Sequence, residues 1–519
     1  MTAMAPFPTR YAANGMVCSI DHLASSAGVA MLRAGGNAVD AAIAANAVLA
    51  VTSQHLCGLG GDLFALVHVP GEAEPAVLNA SGRAGSGADP ERVRASGHRR
   101  MPLQGHVGAV TVPGCVDGWT ALHARFASLA LADLLEPARR LAAGGFPVSP
   151  TLAVSARALE RLAPGEVPDF PRGAALRAGA VMRRPGVARA LESIARDGRA
   201  GFYEGAFGEG LLAVGGGEGG EFTAADLAAP QAEWVGGLAL DAWGRRLWTV
   251  PPNSQGYLTL AGAALAGSLP LPRDPAADLW PHLLVEAAAA AGSDRPAVLH
   301  ERADGLRLLA PERLAAQRAT IGLERAGAAA GVPASATGHL GDTAYLCAAD
   351  GSGLGVSLIQ SNYTGFGSML VVPGLGVFLH NRGAGFSLEA GHPAEYGPRR
   401  RPPHTLAPAL VTTTGGDLEC LVGTMGGDSQ PQILLQLLAR RLAAGLEPAD
   451  CVAAPRWVLT AAAAGGPGGT TATGVWDPGA EVAVAVEGHA PAAWFEGLAR
   501  RGHRVVRAPA WEGRFGHAH

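Results

Sequence analysis

The chain reads as a layered α+β protein, and three features of its sequence predict this. Helix-period apolar patterns fill much of the first half, strand-like runs dominate beyond residue 343, and a further helix pattern over 430–444 follows those strands. With 519 residues and 48% hydrophobic content there is ample material for a buried core, and length alone would admit roughly two to four domains.

From about Ser25 to Val51 a helical pattern begins after a Ser25/Ser26 cap and carries a break at Gly35-Gly36. Its apolar run 41–51 is short and interrupted by Asn46, so it is expected to be a buried helix and not a membrane span. Residues 63–69 read as a strand. Leu122, Phe126, Leu129, Leu134, Leu135, Ala138 and Leu141 predict a helix between Trp119 and Ala143. A glycine- and proline-rich middle follows, then a helix over 279–291, and 331–338 has linker composition. Beyond it lie strands over 369–372, 376–379, 409–412 and 419–423, and the helix 430–444 closes on Gly445.

Composition removes several classes of function. A net charge of −4 leaves no nucleic-acid footprint. All the basic residues apart from histidine are arginine, and the absence of lysine excludes Schiff-base chemistry, Ser/Lys dyads and the P-loop lysine together. The six cysteines, Cys18, Cys57, Cys115, Cys347, Cys420 and Cys451, form no C-x-x-C pair and are expected to be free thiols in a reducing compartment. Residues 1–10 show no apolar signal region, so a cytoplasmic protein is expected, with no membrane partner.

The hairpin after residue 342 carries the chemistry. Thr343-Ala344-Tyr345-Leu346-Cys347-Ala348-Ala349, the turn residues Asp350-Gly351-Ser352-Gly353, and Val356-Ser357-Leu358-Ile359-Gln360-Ser361 read as two strands joined by an Asp/Gly turn. That places the hydroxyls of Thr343 and Ser361 across from each other. A threonine hydroxyl needs a base within hydrogen-bond reach to attack an amide, and its own α-amine, titrating near 7.7–8.0 when free, suits the task. Such a role requires cleavage between Asp342 and Thr343.

Further segments give that hairpin a context. They are Leu32–Ala42, Cys57-Gly58-Leu59-Gly60-Gly61-Asp62, Val110–Gly114, Gly145–Ser149, Gly365–Ser368, Asn381-Arg382-Gly383-Ala384-Gly385-Phe386-Ser387, Arg401-Pro402 and Met425-Gly426-Gly427-Asp428. In this order, over nearly the whole length, they resemble the γ-glutamyltransferase family of N-terminal-nucleophile hydrolases. The resemblance implies a four-layer αββα sandwich and an autoprocessed precursor. Its two products, 1–342 and 343–519, would together form one compact domain that needs no cofactor and no metal.

By the same resemblance Thr343 is the nucleophile, and Ser361 stands where the family has a threonine that hydrogen-bonds it. Gly426 and Gly427, lying between a strand and a helix, can aim two backbone N–H groups at one oxyanion. Arg83 occupies the position of the family's carboxylate-binding arginine. The departures are informative: where γ-glutamyl enzymes hold the glutamyl α-amine and α-carboxylate, this chain has Tyr363, Arg382, Gly385, His404 and Thr405. An aspartate partner for an ammonium has become glycine, beside a cationic arginine, and desolvating an ammonium there would be costly.

The expected substrate is therefore a small amide whose acyl group carries a carboxylate and no α-amine. This is similar to the branch containing oxamate amidohydrolase and glutaryl-type (cephalosporin) acylases, with hydrolysis favoured over transfer and with Arg83 and Arg382 as the carboxylate clamp. The alternatives are an ordinary γ-glutamyltransferase or glutathione hydrolase, and an unprocessed, inactive binding homologue. No G-x-S-x-G elbow occurs, His517 and His519 read as a loose tail, and 461–469 reads as a low-complexity loop.

Overall fold

Alternation of period two builds the centre of the molecule. The computed structural model describes residues 8–217, 219–327, 343–461 and 482–519. Six strands form the larger sheet in the order Gly15–Ser19, Thr343–Asp350, Gly355–Ser361, Asp62–His68, Ala76–Ala80 and Glu233–Val235, each antiparallel to its neighbours. The strand that begins at Thr343 is thus paired on both sides, with segments from both halves of the chain.

On one face of this sheet Ala344, Leu346, Val356 and Leu358 join a core with the helix Ala38–Thr52. Every residue of that helix is buried, and Asn37 caps it in a reciprocal box with Asp40. Each fully buried valine, leucine or isoleucine of this kind contributes about 1.5–3 kcal/mol. On the other face Phe64, Leu66, Tyr345 and Ile359 meet Trp248 and Leu410 of a second sheet. Its strands run in the order Leu418–Val422, Ala409–Thr412, Arg245–Thr249 and Leu238–Ala242. The far face of the second sheet packs through Leu247, Ala409 and Val411 against the helices Tyr257–Gly267, Leu279–Gly292 and Gln430–Leu438. Thr343, two residues before Tyr345, lies on the face between the sheets.

Several elements differ from the sequence reading for identifiable reasons. The first helical pattern starts earlier, at His22, because Asp21 and not Ser25 or Ser26 accepts the Leu23 N–H; it breaks at Gly35, which sits at φ 90°. The pattern between Trp119 and Ala143 is two helices, Cys115–Phe126 and Leu131–Gly144. They part where the Asp40 carboxylate takes the N–H groups of Ser128 and Leu129 at 3.1 and 3.2 Å, drawing that backbone out of the helix. The C-terminal residues are not a loose tail: Met425 N–H donates to His517 O and His519 N–H to Gly423 O. The predicted linker 331–338, Asp342 and the loop beyond residue 461 lie outside the described residues. No helix among the described residues is long and apolar enough to cross a membrane.

Candidate active site

Three adjacent strands bring three polar side chains to one end of the space between the sheets. Thr343 lies opposite Ser361 in register, and Ser361 lies opposite Asp62. Thr343 Oγ1 donates to Ser361 Oγ across 3.0 Å, and both residues are 3% exposed. Ser361 Oγ also accepts the N–H of Tyr363 at 2.8 Å, with Tyr363 turned to φ 75°. The nucleophile candidate is therefore fixed by its strand, while Tyr363, two residues after its partner, is swung towards a cavity.

That cavity, about 340 Å³, is lined by Tyr363, Arg382, Gly385, Thr405, Arg295 and Asp428 among others. Arg382 is buried, with its guanidinium carbon 3.5 Å from the centre of the Tyr363 ring. Its Nη2 donates to Thr405 Oγ1 at 3.0 Å and its Nη1 to Pro403 O at 3.4 Å, whereas Nε has no partner among the described residues. Burial lowers its pKa, opposed by Tyr363 and by the charges of Asp62 and Asp428. Asp428, the buried carboxylate of this cavity, is paired at 3.1 Å with Arg295, and burial raises its pKa. No carboxylate among the described residues forms an ion pair with Arg382. Gly385 opens the space beside it: a Cβ there would sit 2.7 Å from Pro403 O.

Gly426 and Gly427 sit at φ 137° and 54°, in the region that favours glycine. They follow the strand Leu418–Val422 and precede the helix Gln430–Leu438, and no hydrogen bond among the described residues uses either N–H. Gln255 Nε2 donates to Gly427 O at 2.9 Å and to Thr405 O at 3.0 Å, tying the glycine pair to the Arg382 side of the cavity. Two free N–H groups so held can stabilise an oxyanion.

Of the site residues singled out from the sequence, Tyr363, Arg382, Gly385 and Thr405 line this cavity, whereas Thr343, Ser361, Gly426, Gly427, Arg83 and His404 do not. Arg83 is paired with Glu233 at 2.6 Å and reaches Glu301 at 3.8 Å, and neither it nor those carboxylates lines the cavity. His404 is buried with Nε2 3.2 Å from Asp62 Oδ2, its ring edge-on to Phe64. Burial, reinforced by the Arg382 charge, pushes its pKa down to about 3. Asp62 itself accepts the N–H groups of Gly82 and Gly114. Burial opposes its ionisation, but His380, His404 and the Gly82 N–H outweigh it and hold its pKa at about 2.

The sequence reading assigned no role to Asp62, Gln255, Arg295 or Asp428. A signal existed for Asp62 and Asp428, since each ends one of the quoted glycine motifs. Gln255 and Arg295 act across separations of more than 130 residues and leave no local trace.

A family model described as gamma-glutamyltranspeptidase matches residues 24–519. The chain belongs to this family, whose members are N-terminal-nucleophile amidohydrolases, and it is an enzyme of that type. Among curated relatives, the glutathione hydrolase-like YwrD proenzyme of Bacillus subtilis is 38% identical over 85% of this chain and 84% of its own length. The oxamate amidohydrolase proenzyme of Klebsiella pneumoniae is 36% identical over 86% of this chain and 85% of its own. Among solved structures, cephalosporin acylase from Bacillus halodurans is 33% identical, covers 100% of this chain and 94% of its own, and superposes with a TM-score of 0.85.

Proposed function

We propose that the chain is a precursor that cleaves itself between Asp342 and Thr343, and that the processed enzyme hydrolyses amides of small acyl groups bearing a carboxylate, of the oxamate or glutaryl type. The observation that carries this reading is the conjunction of the Thr343–Ser361 hydroxyl pair with a cavity whose buried arginine, Arg382, has no carboxylate partner among the described residues. The names of two similar proteins, an oxamate amidohydrolase proenzyme and a cephalosporin acylase, support it. In this reading the freed α-amine of Thr343 takes the hydroxyl proton and Oγ1 attacks the amide carbonyl. The N–H groups of Gly426 and Gly427 hold the oxyanion, the amine proton passes to the leaving nitrogen, and water then releases the acyl group from Thr343. Ser361 orients Oγ1, Arg382 meets the substrate carboxylate, and Tyr363, Gly385 and Thr405 shape its pocket; Arg83 and His404, expected from the sequence to bind substrate, are instead engaged by Glu233 and Asp62.

The helix-packed face of each sheet and the apolar layer between them support a four-layer αββα sandwich, with 1–342 and 343–519 forming one compact cytoplasmic unit. Glutathione hydrolysis is the rival reading, favoured by the name of the relative that is 38% identical. Against it stand Gly385 and the Arg295 pairing of Asp428, which leave an α-ammonium without a carboxylate of its own beside Arg382. Intact-mass measurement and N-terminal sequencing of the purified protein test the first step. Two pieces, the smaller beginning at Thr343, are expected, with a single chain for Thr343→Ala; a wild-type protein that stays uncleaved refutes the proposal.

A further inference from the structure

Away from the active site, the second layer of helices holds a cluster with no role in amide chemistry. His282 and Glu286 lie one turn apart on the helix Leu279–Gly292, and His503 comes from the turn before the strand Val505–Ala508. One ligand atom from each lies within 4.8 Å of the others. His282 Nδ1 and His503 Nε2 are 2.8 Å apart, and His503 Nε2 is 3.9 Å from Glu286 Oε1.

The surrounding backbone aims these atoms at one point. His282 Nε2–H donates to Gly322 O at 2.9 Å, which fixes the tautomer and leaves the Nδ1 lone pair facing His503. Glu286 Oε2 accepts the N–H groups of Gly322 and Gly327 at 3.2 and 2.9 Å, and Oε1, 3.9 Å from His503 Nε2, has no hydrogen bond among the described residues. An imidazole whose other nitrogen donates to a carbonyl, and a carboxylate anchored through its second oxygen, are the outer partners that metal-binding side chains carry. A hydrogen-bonded histidine pair alone needs no carboxylate beside it, and 3.9 Å is too long for a hydrogen bond. In a tetrahedral site with Zn–N bonds of about 2.0–2.1 Å, ligand atoms stand roughly 3.4 Å apart; the 2.8 and 3.9 Å separations bracket that value. The nearby Arg501 is neutralised by Asp278 at 3.0 Å.

We propose that His282, Glu286 and His503 form a structural site for a divalent cation of borderline softness, zinc being the best match, with water as fourth ligand. Two imidazoles and one carboxylate favour zinc over calcium or magnesium. Binding moves the His503 proton from Nε2 to Nδ1, so no proton is released. The cation would clamp the end of the segment 322–327, already tied to residue 501 by the Ala326 N–H, onto the C-terminal region.

The test uses the full chain purified without a histidine tag, stripped with chelator and re-equilibrated with zinc sulfate. One retained zinc per chain is expected by elemental analysis, with a rise of several degrees in thermal midpoint. Cobalt(II) should give the visible absorption of a tetrahedral nitrogen/oxygen site. Glu286→Gln and His503→Gln should each weaken zinc binding at least tenfold, while His22→Gln, whose side chain is 82% exposed, should not. A wild-type chain that retains no zinc, or variants that retain it undiminished, would overturn the proposal. If both variants misfold, the wild-type cobalt spectrum decides: absence of tetrahedral absorption overturns it.

Discussion

Thr343 and Ser361 face one another as directly opposed residues of two antiparallel strands, their hydroxyls 3.0 Å apart and shielded from water. A sheet register holds such a pair more rigidly than a loop could, because slipping by one residue would turn both side chains to the opposite face. Ser361→Ala leaves the Thr343 hydroxyl and the Tyr363 N–H without this acceptor. It should cost about 1–3 kcal/mol of stability and, by loosening Oγ1, about 10–100-fold in kcat/KM. Ser361→Thr should restore most of both. Denaturant unfolding and steady-state kinetics on the three proteins check it.

Arg382 should behave unlike an ordinary structural arginine. It is buried without a carboxylate partner among the described residues, so Arg382→Met removes a desolvated charge and should leave stability unchanged or raise it. Activity should move the other way. Losing the charged hydrogen-bond donor proposed to meet the substrate carboxylate, worth about 1.5–3 kcal/mol, should lower kcat/KM by about 10–100-fold. A parallel fall in thermal midpoint and activity would mark it as structural only.

At Gly385 the limiting contact is with backbone. A Cβ would press on Pro403 O at 2.7 Å, the same carbonyl that accepts from Arg382 Nη1. Gly385→Ala should therefore destabilise by about 1–3 kcal/mol and raise KM for carboxylate-bearing amides more than it lowers kcat. An unaltered KM would contradict the role of this opening.

Acid should weaken the fold well before carboxylates protonate. Burial pushes the pKa values of His55 and His404 from 6.5 down to about 3. Between these values the unfolded chain binds protons that the folded chain does not, so this stability is fully present above pH 6.5 and is lost as pH falls towards 3. Each ring contributes a slope of about 1.4 kcal/mol per pH unit. Asp62, lowered from 3.8 to about 2, adds its own loss below 3.8. His55→Leu should flatten the dependence of unfolding free energy by one ring's slope between pH 6 and 4, and an unchanged slope would contradict it.

What could be read from the sequence was what short-range pattern controls. The hairpin carrying Thr343 and Ser361 was legible because period-two alternation and an Asp/Gly turn are local, and the strand Ala409–Thr412 has the predicted bounds. Helix ends were less so, as the break at Ser128 depends on Asp40, 88 residues away. The same limit applies to the site. The position of Arg382 could be counted from its motif, but not its stacking on Tyr363 or its lack of an ion pair among the described residues. That Arg83 spends its charge on Glu233 and Glu301, and His404 its ring nitrogen on Asp62, are facts of tertiary packing.

The most direct measurement compares kcat/KM of the processed enzyme for glutaryl and oxamate amides with that for γ-glutamyl amides of the same leaving group. The geometry around Arg382 and Gly385 predicts at least a tenfold preference for one of the acyl groups lacking an α-amine. Faster release from the γ-glutamyl amide would contradict it and return the enzyme to glutathione-type chemistry.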